Sequence, residues 1–450
     1  METYQVRINR NYLTVISFLL AASSILFGES AEAIPSFARQ TGAACSTCHT
    51  NSFGPNLTPF GRIFKLKGYT MGGDSGGLPP LSAMVMGSFT HTDKDQGGGH
   101  IGGSGSPTFG SNNNFAFDQA SLFYGGRVAG PVGAFAQLTY NGVEGKLEMD
   151  NADIRFARDT SLWGQSLTYG ISLNNNPTSQ DLWNTTPVWG FPFASSAVGP
   201  SPGAGLLIDG GLGQQVGGAT IYGLIDDLLF IEAGAYAGFA KNMQQFFGSW
   251  SPDNTELSGP APYWRLALQH EWNNQYVALG TYGLRADVIP GRTRGIGLDR
   301  YSDLGADLTY QYLGSMEHIF ELRSTYIRES MDLNGSFNAG GASQVSNQIN
   351  TFRINGSYTF QQTYSASLGY FDIGGSRDSL LYAAYSAFRP DSQGMTAELN
   401  YVPFGKGDSL WQPWLNLRLA LQYVGYTQFD GTAKKSSNNN TLYLNSWVSF

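Results

Sequence analysis

Two cysteines are present, and both stand in the run Cys45-Ser46-Thr47-Cys48-His49. C-x-x-C-H is the attachment sequence of c-type haem. The two thiols add to the porphyrin vinyl groups, and the imidazole that follows at once falls under the iron as its proximal ligand. Other chemistries fit this run less well. A Cys45–Cys48 disulfide would have no use for His49. A thioredoxin-like pair wants a βαβ surround, and none is visible. A zinc site wants further Cys or His at ligand spacing, and none is near. The run predicts one covalent haem c, with Cys45 and Cys48 as attachment points and His49 as the axial ligand of the haem iron.

The sixth iron position is open to several residues, because thioether and imidazole both serve haem iron. Met71, Met84, Met86, His91 and His100 lie downstream. Met71 is the nearest and is taken as the distal candidate; an unfilled position is the alternative. Met84 and Met86 share one parity of the first expected strand and would face either the interior or lipid. His270 and His318 fall on apolar-face parities near turns and read as interfacial. Arg39, Arg62, Lys65 and Lys67 are expected either to pair with haem propionates or to form a solvated basic face.

The elements that carry this motif begin with an export signal. Arg7 and Arg10 precede an apolar run from Leu13 to Phe27, and Ala31-Glu32-Ala33 offers a cleavage site. Residues 1–33 therefore read as signal peptide, 34–80 as the haem-binding segment and 81–450 as the remaining domain. The haem segment is too short to bury a haem in a core of its own, so it is expected to pack against or into the rest of the chain. No other stretch reaches the roughly 18 apolar residues of a spanning helix.

From Leu81 onward the sequence alternates apolar and polar with period two, the mark of strands. Leu415, Leu417, Leu419, Leu421 and Tyr423 oppose Asn416, Arg418, Ala420 and Gln422. The same scheme recurs at 302–312 and 352–360. Expected strands fall at 82–92, 115–128, 131–141, 147–158, 165–174, 214–225, 228–239, 261–272, 275–287, 302–313, 317–329, 346–360, 363–373, 392–402, 413–427 and 440–450. Their links alternate between tight turns and long polar stretches, which is the habit of outer-membrane barrels. Two links depart from it: the one after the third strand is short, and 403–412 is long for a turn. Gly is abundant at 58 of 450 residues, while charged residues make up only 13%, a balance common in such barrels. The expected fold is all-β, a transmembrane antiparallel barrel of about sixteen strands behind a short haem segment; a soluble all-β protein is the alternative.

An even strand number puts both chain ends on one side, here the periplasm. Arg265, Glu271, Asp303, Asp307, Glu321, Arg323, Arg353 and Arg418 take the polar parity, and a sixteen-stranded barrel is wide enough to keep them hydrated in an aqueous lumen. Trp264, Trp272, Trp414 and Trp447 suit interfacial girdles. Terminal Phe450 closes an alternating strand, as insertion signals of outer-membrane barrels do. The net charge of −8 argues against a general nucleic-acid partner.

The stretch from Ala33-Ile-Pro-Ser-Phe-Ala-Arg-Gln-Thr-Gly42 through His49 resembles a known family. So do Leu57-Thr-Pro-Phe-Gly-Arg62 and Lys65-Leu-Lys-Gly-Tyr69. The sequence is similar here to the fused monohaem outer-membrane cytochrome c–porins of iron-oxidising bacteria and their relatives. The layout of signal, single C-x-x-C-H and barrel agrees, and Asn174-Asn-Asn-Pro177 and Asp181 to Trp189 look family-like as well. The resemblance implies electron transfer from an extracellular reductant, Fe(II) in the best-known members, through the haem to a periplasmic cytochrome or other soluble carrier. On that view the chain is an electron carrier or an Fe(II)-oxidising oxidoreductase in the bacterial outer membrane, its haem segment entering from the periplasmic side. A passive porin with the haem segment as plug is the main alternative. A haem sensor or peroxidase would need distal acid–base groups that the sequence does not identify. Asp181, Trp183 and Trp189 are expected either to form an outer contact site or to fold over the barrel mouth.

Overall fold

The computed structural model describes residues 34–73, 79–102, 105–186, 188–248 and 255–450. The expected export signal at 1–33 lies outside the described residues, as do 74–78 of the expected haem segment.

Sixteen antiparallel strands close into one barrel. They are β1 (Leu81–Thr92), β2 (Asn114–Ala129), β3 (Val132–Asn141), β4 (Lys146–Leu162), β5 (Gln165–Asn174) and β6 (Val216–Ile225). Next come β7 (Leu229–Gly238), β8 (Ala261–Trp272), β9 (Gln275–Val288), β10 (Asp299–Tyr312) and β11 (His318–Leu333). The last five are β12 (Ser346–Phe360), β13 (Tyr364–Gly375), β14 (Ser392–Tyr401), β15 (Asn416–Gln428) and β16 (Thr441–Ser449). Every strand pairs with its sequence neighbours, and β16 closes on β1 in the register Met84↔Ser449 and Met86↔Trp447. Phe450 adds reciprocal bonds of 2.7 and 2.8 Å with Ala83.

Closure removes every sheet edge and satisfies the backbone within the sheet, which is what a spanning sheet requires in hydrocarbon. The outer face then has to be apolar, and it is. Leu279, Leu304, Leu368, Leu399 and Ile221 stand exposed on it. A hollow of about 700 Å³ bordered by Leu322, Leu368, Leu399 and Leu421 lies on this lipid-facing wall. Trp264, Trp272 and Trp414 are also partly exposed, as interfacial aromatics are.

Links at one end are tight. Asp226-Asp227, Asn273-Asn274 and Gln361-Gln362 all have positive φ at both central positions, the backbone that matches the twist of two-residue hairpins. Links at the other end are long, apart from the four residues between β3 and β4. We call these the turn end and the loop end.

The lumen is not aqueous along most of its wall, contrary to the expectation for a barrel of this width. Asp303, Asp307, Thr309 and Gln311 of β10 are buried, as are Asn416, Arg418 and Gln422 of β15. Two insertions fill the space. From the turn end comes the segment 34–73, with helices α1 (Pro35–Thr41), α2 (Cys45–Cys48) and α3 (Pro59–Leu66). From the loop end, the link 175–215 folds inward. Its Asp181 and Trp183 are almost fully buried, so they form no outer contact site. Ions inside are paired: Arg265 lies 3.0 Å from Asp307 and 3.4 Å from Asp181, and Arg418 lies 2.7 Å from Glu398.

Candidate haem site

Local sequence shapes the segment that carries Cys45 and Cys48. Gly42 ends α1 in the left-handed conformation at φ 68°, where glycine is the ordinary choice. The single turn α2 follows, and His49 N–H closes it on the Cys45 carbonyl at 2.9 Å. Thr58 caps α3, its hydroxyl accepting from Gly61 N–H, with Pro59 opening the helix. At Gly61 a Cβ would meet the Cys48 carbonyl oxygen at 2.3 Å. Only glycine lets α3 lie this close to the motif.

The result is a cavity of about 470 Å³ whose wall includes Cys45, Cys48 and His49 together. Burial pushes the Cys48 thiol up to about 11. It pushes His49 down to about 4, against a small raising effect of its bond to the Asn56 carbonyl. The imidazole is therefore neutral at physiological pH. A carbonyl only accepts, so the 3.3 Å contact between Asn56 O and His49 Nδ1 places the proton on Nδ1 and leaves Nε2 with its lone pair.

Three sources supply the remaining walls. Phe37, Phe64 and Tyr69 come from the plug, with Phe37 stacked on Tyr69 at 5.5 Å. Met84, Phe123, Phe135 and Trp447 come from β1, β2, β3 and β16, and Trp189 and Phe193 from the inward link. Trp447 was expected in an interfacial girdle, but its parity turns it inward. There it packs on Phe53 at 5.1 Å and donates its indole N–H to Met84 Sδ at 2.9 Å.

Of the distal candidates, Met84 alone borders the cavity. Met71 does not; it packs at the edge of the Phe37–Phe64–Tyr69 cluster, with its carbonyl taken by Gln40 at 2.8 Å. Met86 is buried on the inner face without reaching the cavity lining. His91 bonds Asn113, and His100 bonds Ser106, both within or beside the link 93–113 at the loop end. His270 stacks on Trp272 and His318 bonds Tyr358 at the turn end, the interfacial placement expected.

Of the four basic residues, Lys65 borders the cavity, and Lys67 stands partly exposed beside Asp159. All four tie the plug to its surroundings. Arg62 reaches Gln311 at 2.6 Å, and Lys67 pairs with Asp159 at 2.7 Å. Arg39 donates to the Leu81 carbonyl. Lys65 donates to the carbonyls of Ser179 and Asp181 at 2.9 and 2.5 Å, and burial pushes its ammonium down to about 7. Glu321 of β11 completes this seam by accepting from Thr50 at 2.8 Å and Asn56 at 3.1 Å.

The exceptional turn-end link, 402–415, underlies the motif. Gly405 O accepts from Ser46 N–H at 3.0 Å, and Gln412 donates to Cys45 Sγ at 3.2 Å. Gln362 of the β12–β13 turn donates to the carbonyls of Ser46 and His49 at 2.7 and 3.1 Å. Its glutamine type was the available sequence signal: Gln-Gln is a poor choice for a turn with two positive φ values unless a side chain is needed there.

No protein-family model matches this sequence, and no curated protein does. Solved outer-membrane proteins are similar to this chain at low identity. OprB of Pseudomonas putida is 14% identical with a TM-score of 0.48, covering 85% of this chain and 99% of its own. An anion-selective porin from Comamonas acidovorans is 12% identical with a TM-score of 0.44, covering 82% and 98%. The outer membrane channel DcaP of Acinetobacter baumannii is 12% identical with a TM-score of 0.43, covering 82% and 96%. Strand number, closure and an apolar outer face define the class: a porin-like outer-membrane β-barrel. Within that class, this chain is one whose lumen holds its own N-terminal segment.

Proposed function

We propose that this chain carries electrons across the outer membrane through one haem c, from an extracellular reductant to a soluble periplasmic carrier. One observation carries the reading: both thiols and the imidazole of a C-x-x-C-H run border one aromatic-lined cavity inside a barrel. Cys45 and Cys48 would hold the haem, His49 would ligate its iron, and Met84 is the candidate for the sixth position. Bound there, the haem supplies reversible one-electron chemistry.

The chain's own residues do the rest. Asn56 fixes the His49 tautomer. Trp447 orients the Met84 thioether, and the aromatic walls exclude water. The cavity is bordered by elements from both mouths of the barrel, the plug from the turn end and link 175–215 from the loop end. A group held there would lie inside the barrel, between the plug and the inward link, toward the turn end. With the turn end in the periplasm, Gln412 and the 402–415 link mark the side on which a soluble carrier would approach. Fe(II) is the donor proposed, by resemblance to iron-oxidising relatives.

The test is anaerobic stopped-flow mixing of the oxidised, purified protein with Fe(II). Growth of a reduced c-type spectrum, followed by reoxidation with a soluble cytochrome, is the expected result. Reduction by dithionite but not by Fe(II) would remove the donor and leave the cytochrome. Absence of any c-type spectrum would overturn the reading. A passive porin is the second reading, favoured by a strip along β12 where Arg353, Asn355 and Ser357 are only half-buried. Solute flux into liposomes separates the two.

A further inference from the structure

A second cavity, of about 240 Å³, adjoins the first and shares Asn184, Gly190, Pro192 and Ser195 with it. Two guanidinium groups border it, those of Arg323 on β11 and Arg353 on β12. Arg323 is 4% exposed. One of its nitrogens, Nη2, donates to Glu321 at 2.8 Å, while Nε and Nη1 are buried without a hydrogen-bond partner among the described residues. Glu321 cannot serve them, since it already accepts from Thr50, Asn56 and Gln311. Arg353 lies 2.7 Å from Asp209, so each cation has one carboxylate, and what the cavity offers beyond those pairs is the unpaired Nε and Nη1 of Arg323.

Buried guanidinium N–H groups left unpaired are costly. They are also the donors that match a carboxylate or phosphate in fork geometry. We propose that this cavity takes an oxyanion of the carboxylate class, supplied by a haem propionate reaching across the shared wall. The inference rests on the haem reading above. It gives the propionate role to Arg323 and Arg353, which come from strands far from the C-x-x-C-H run in sequence, beside Lys65 of the plug, whose ammonium already donates to two carbonyls.

The test uses the haem-loaded protein, with haem content first checked by its pyridine haemochrome spectrum. Midpoint potentials are measured for wild type, Arg323→Gln, Arg353→Gln and Arg323→Lys, with and without inorganic phosphate. Arg300→Gln, at an exposed ion pair on the loop-end rim, is the control for loss of a distant charge. A cation beside the haem disfavours its oxidised form, so both Gln variants should lower the potential. Arg323→Lys should recover most of it, and Arg300→Gln and phosphate should change nothing. The half-exposed Arg353 keeps the test readable if Arg323→Gln fails to fold. If phosphate shifts the wild-type potential but not that of Arg323→Gln, the site binds a free oxyanion and the propionate is overturned as its source. Haem-bearing variants with wild-type potentials, unmoved by phosphate, overturn the anion site alone. A wild type without the haemochrome spectrum overturns the parent reading and the propionate with it.

Discussion

At the scale of single residues, Met84 is where geometry departs from sequence distance. Met71 is closer to His49 along the chain, yet Met84 is the one that borders the cavity, with its sulfur fixed by the Trp447 indole. Replacing the thioether tests this, because His/Met ligation raises a haem potential. Met84→Leu nearly conserves volume and is expected to fold, since such swaps cost less than about 1.5 kcal/mol. It should lower the midpoint potential and convert the ferric spectrum toward high spin, while Met71→Leu leaves both unchanged. The opposite pattern in an optical redox titration would return the role to Met71. The motif itself was legible in sequence because its chemistry depends on neighbours in the chain. Which methionine borders the cavity was not, since β1 had to be rolled against β16 before Met84 and Trp447 could meet. For Arg39, Arg62, Lys65 and Lys67 sequence distance decides little for a related reason: the fold brings wall carbonyls and carboxylates to each of them, and of the four Lys65 alone borders the cavity.

At the scale of elements, period-two alternation and turn chemistry located all sixteen strands, since both are written within a dozen residues. What the elements do for one another was not so written. Gln361 and Gln362 sit at φ 50° and 51°, a conformation that costs a non-glycine residue about 1 kcal/mol or more. The Gln362 bonds to Ser46 and His49 carbonyls explain why that cost is accepted. Replacing the pair with Asn-Gly should leave the thermal midpoint of the barrel unchanged or higher, yet loosen the motif. Faster carbon monoxide binding to the reduced protein is the expected readout, and an unchanged rate would deny the tether.

Asp378 in the link after β13 is a second case. Its carboxylate accepts from the backbone N–H groups of Ser343, Gln344, Leu380 and Leu381, and from the Ser343 and Asn347 side chains. Burial alone would raise its pKa, but these bonds outweigh burial and hold it well below the usual carboxylate range. The stabilisation is present in full above the unfolded value of about 3.9. It drains away as the pH falls through that value toward the depressed folded one. Asp378→Asn should therefore open links 334–345 and 376–391 by about 2 kcal/mol at neutral pH. In hydrogen exchange, the gap from wild type should narrow below pH 4; a gap that persists there would assign the effect to packing.

At the scale of the whole molecule, the barrel's charged inner parity was read correctly and its solvent was not. Sixteen strands enclose enough space for water, so charge on that parity implied hydration. Whether water occupies the space depends on what else the chain folds into it, and no local pattern announces that 34–73 and 175–215 both turn inward. Arg265 shows the consequence: at 0% exposed it depends on Asp307 and Asp181 for its charge. Asp181 belongs to the inward link, so link and wall stabilise each other, and removing one partner of such a buried pair typically costs about 3–5 kcal/mol. A filled lumen should pass little. Liposome swelling with small sugars, and ion conductance in planar bilayers, should stay near background for the full chain. Replacing 188–205 by a short Gly-Ser connection keeps the Asp181–Arg265 pair and removes the Trp189 and Phe193 walls of the cavity. It should raise conductance several-fold while Cys45 and Cys48 still retain covalent haem. Wild-type swelling equal to that of an open porin would instead mean that plug and link part in the membrane, and the passive-porin reading would then take precedence.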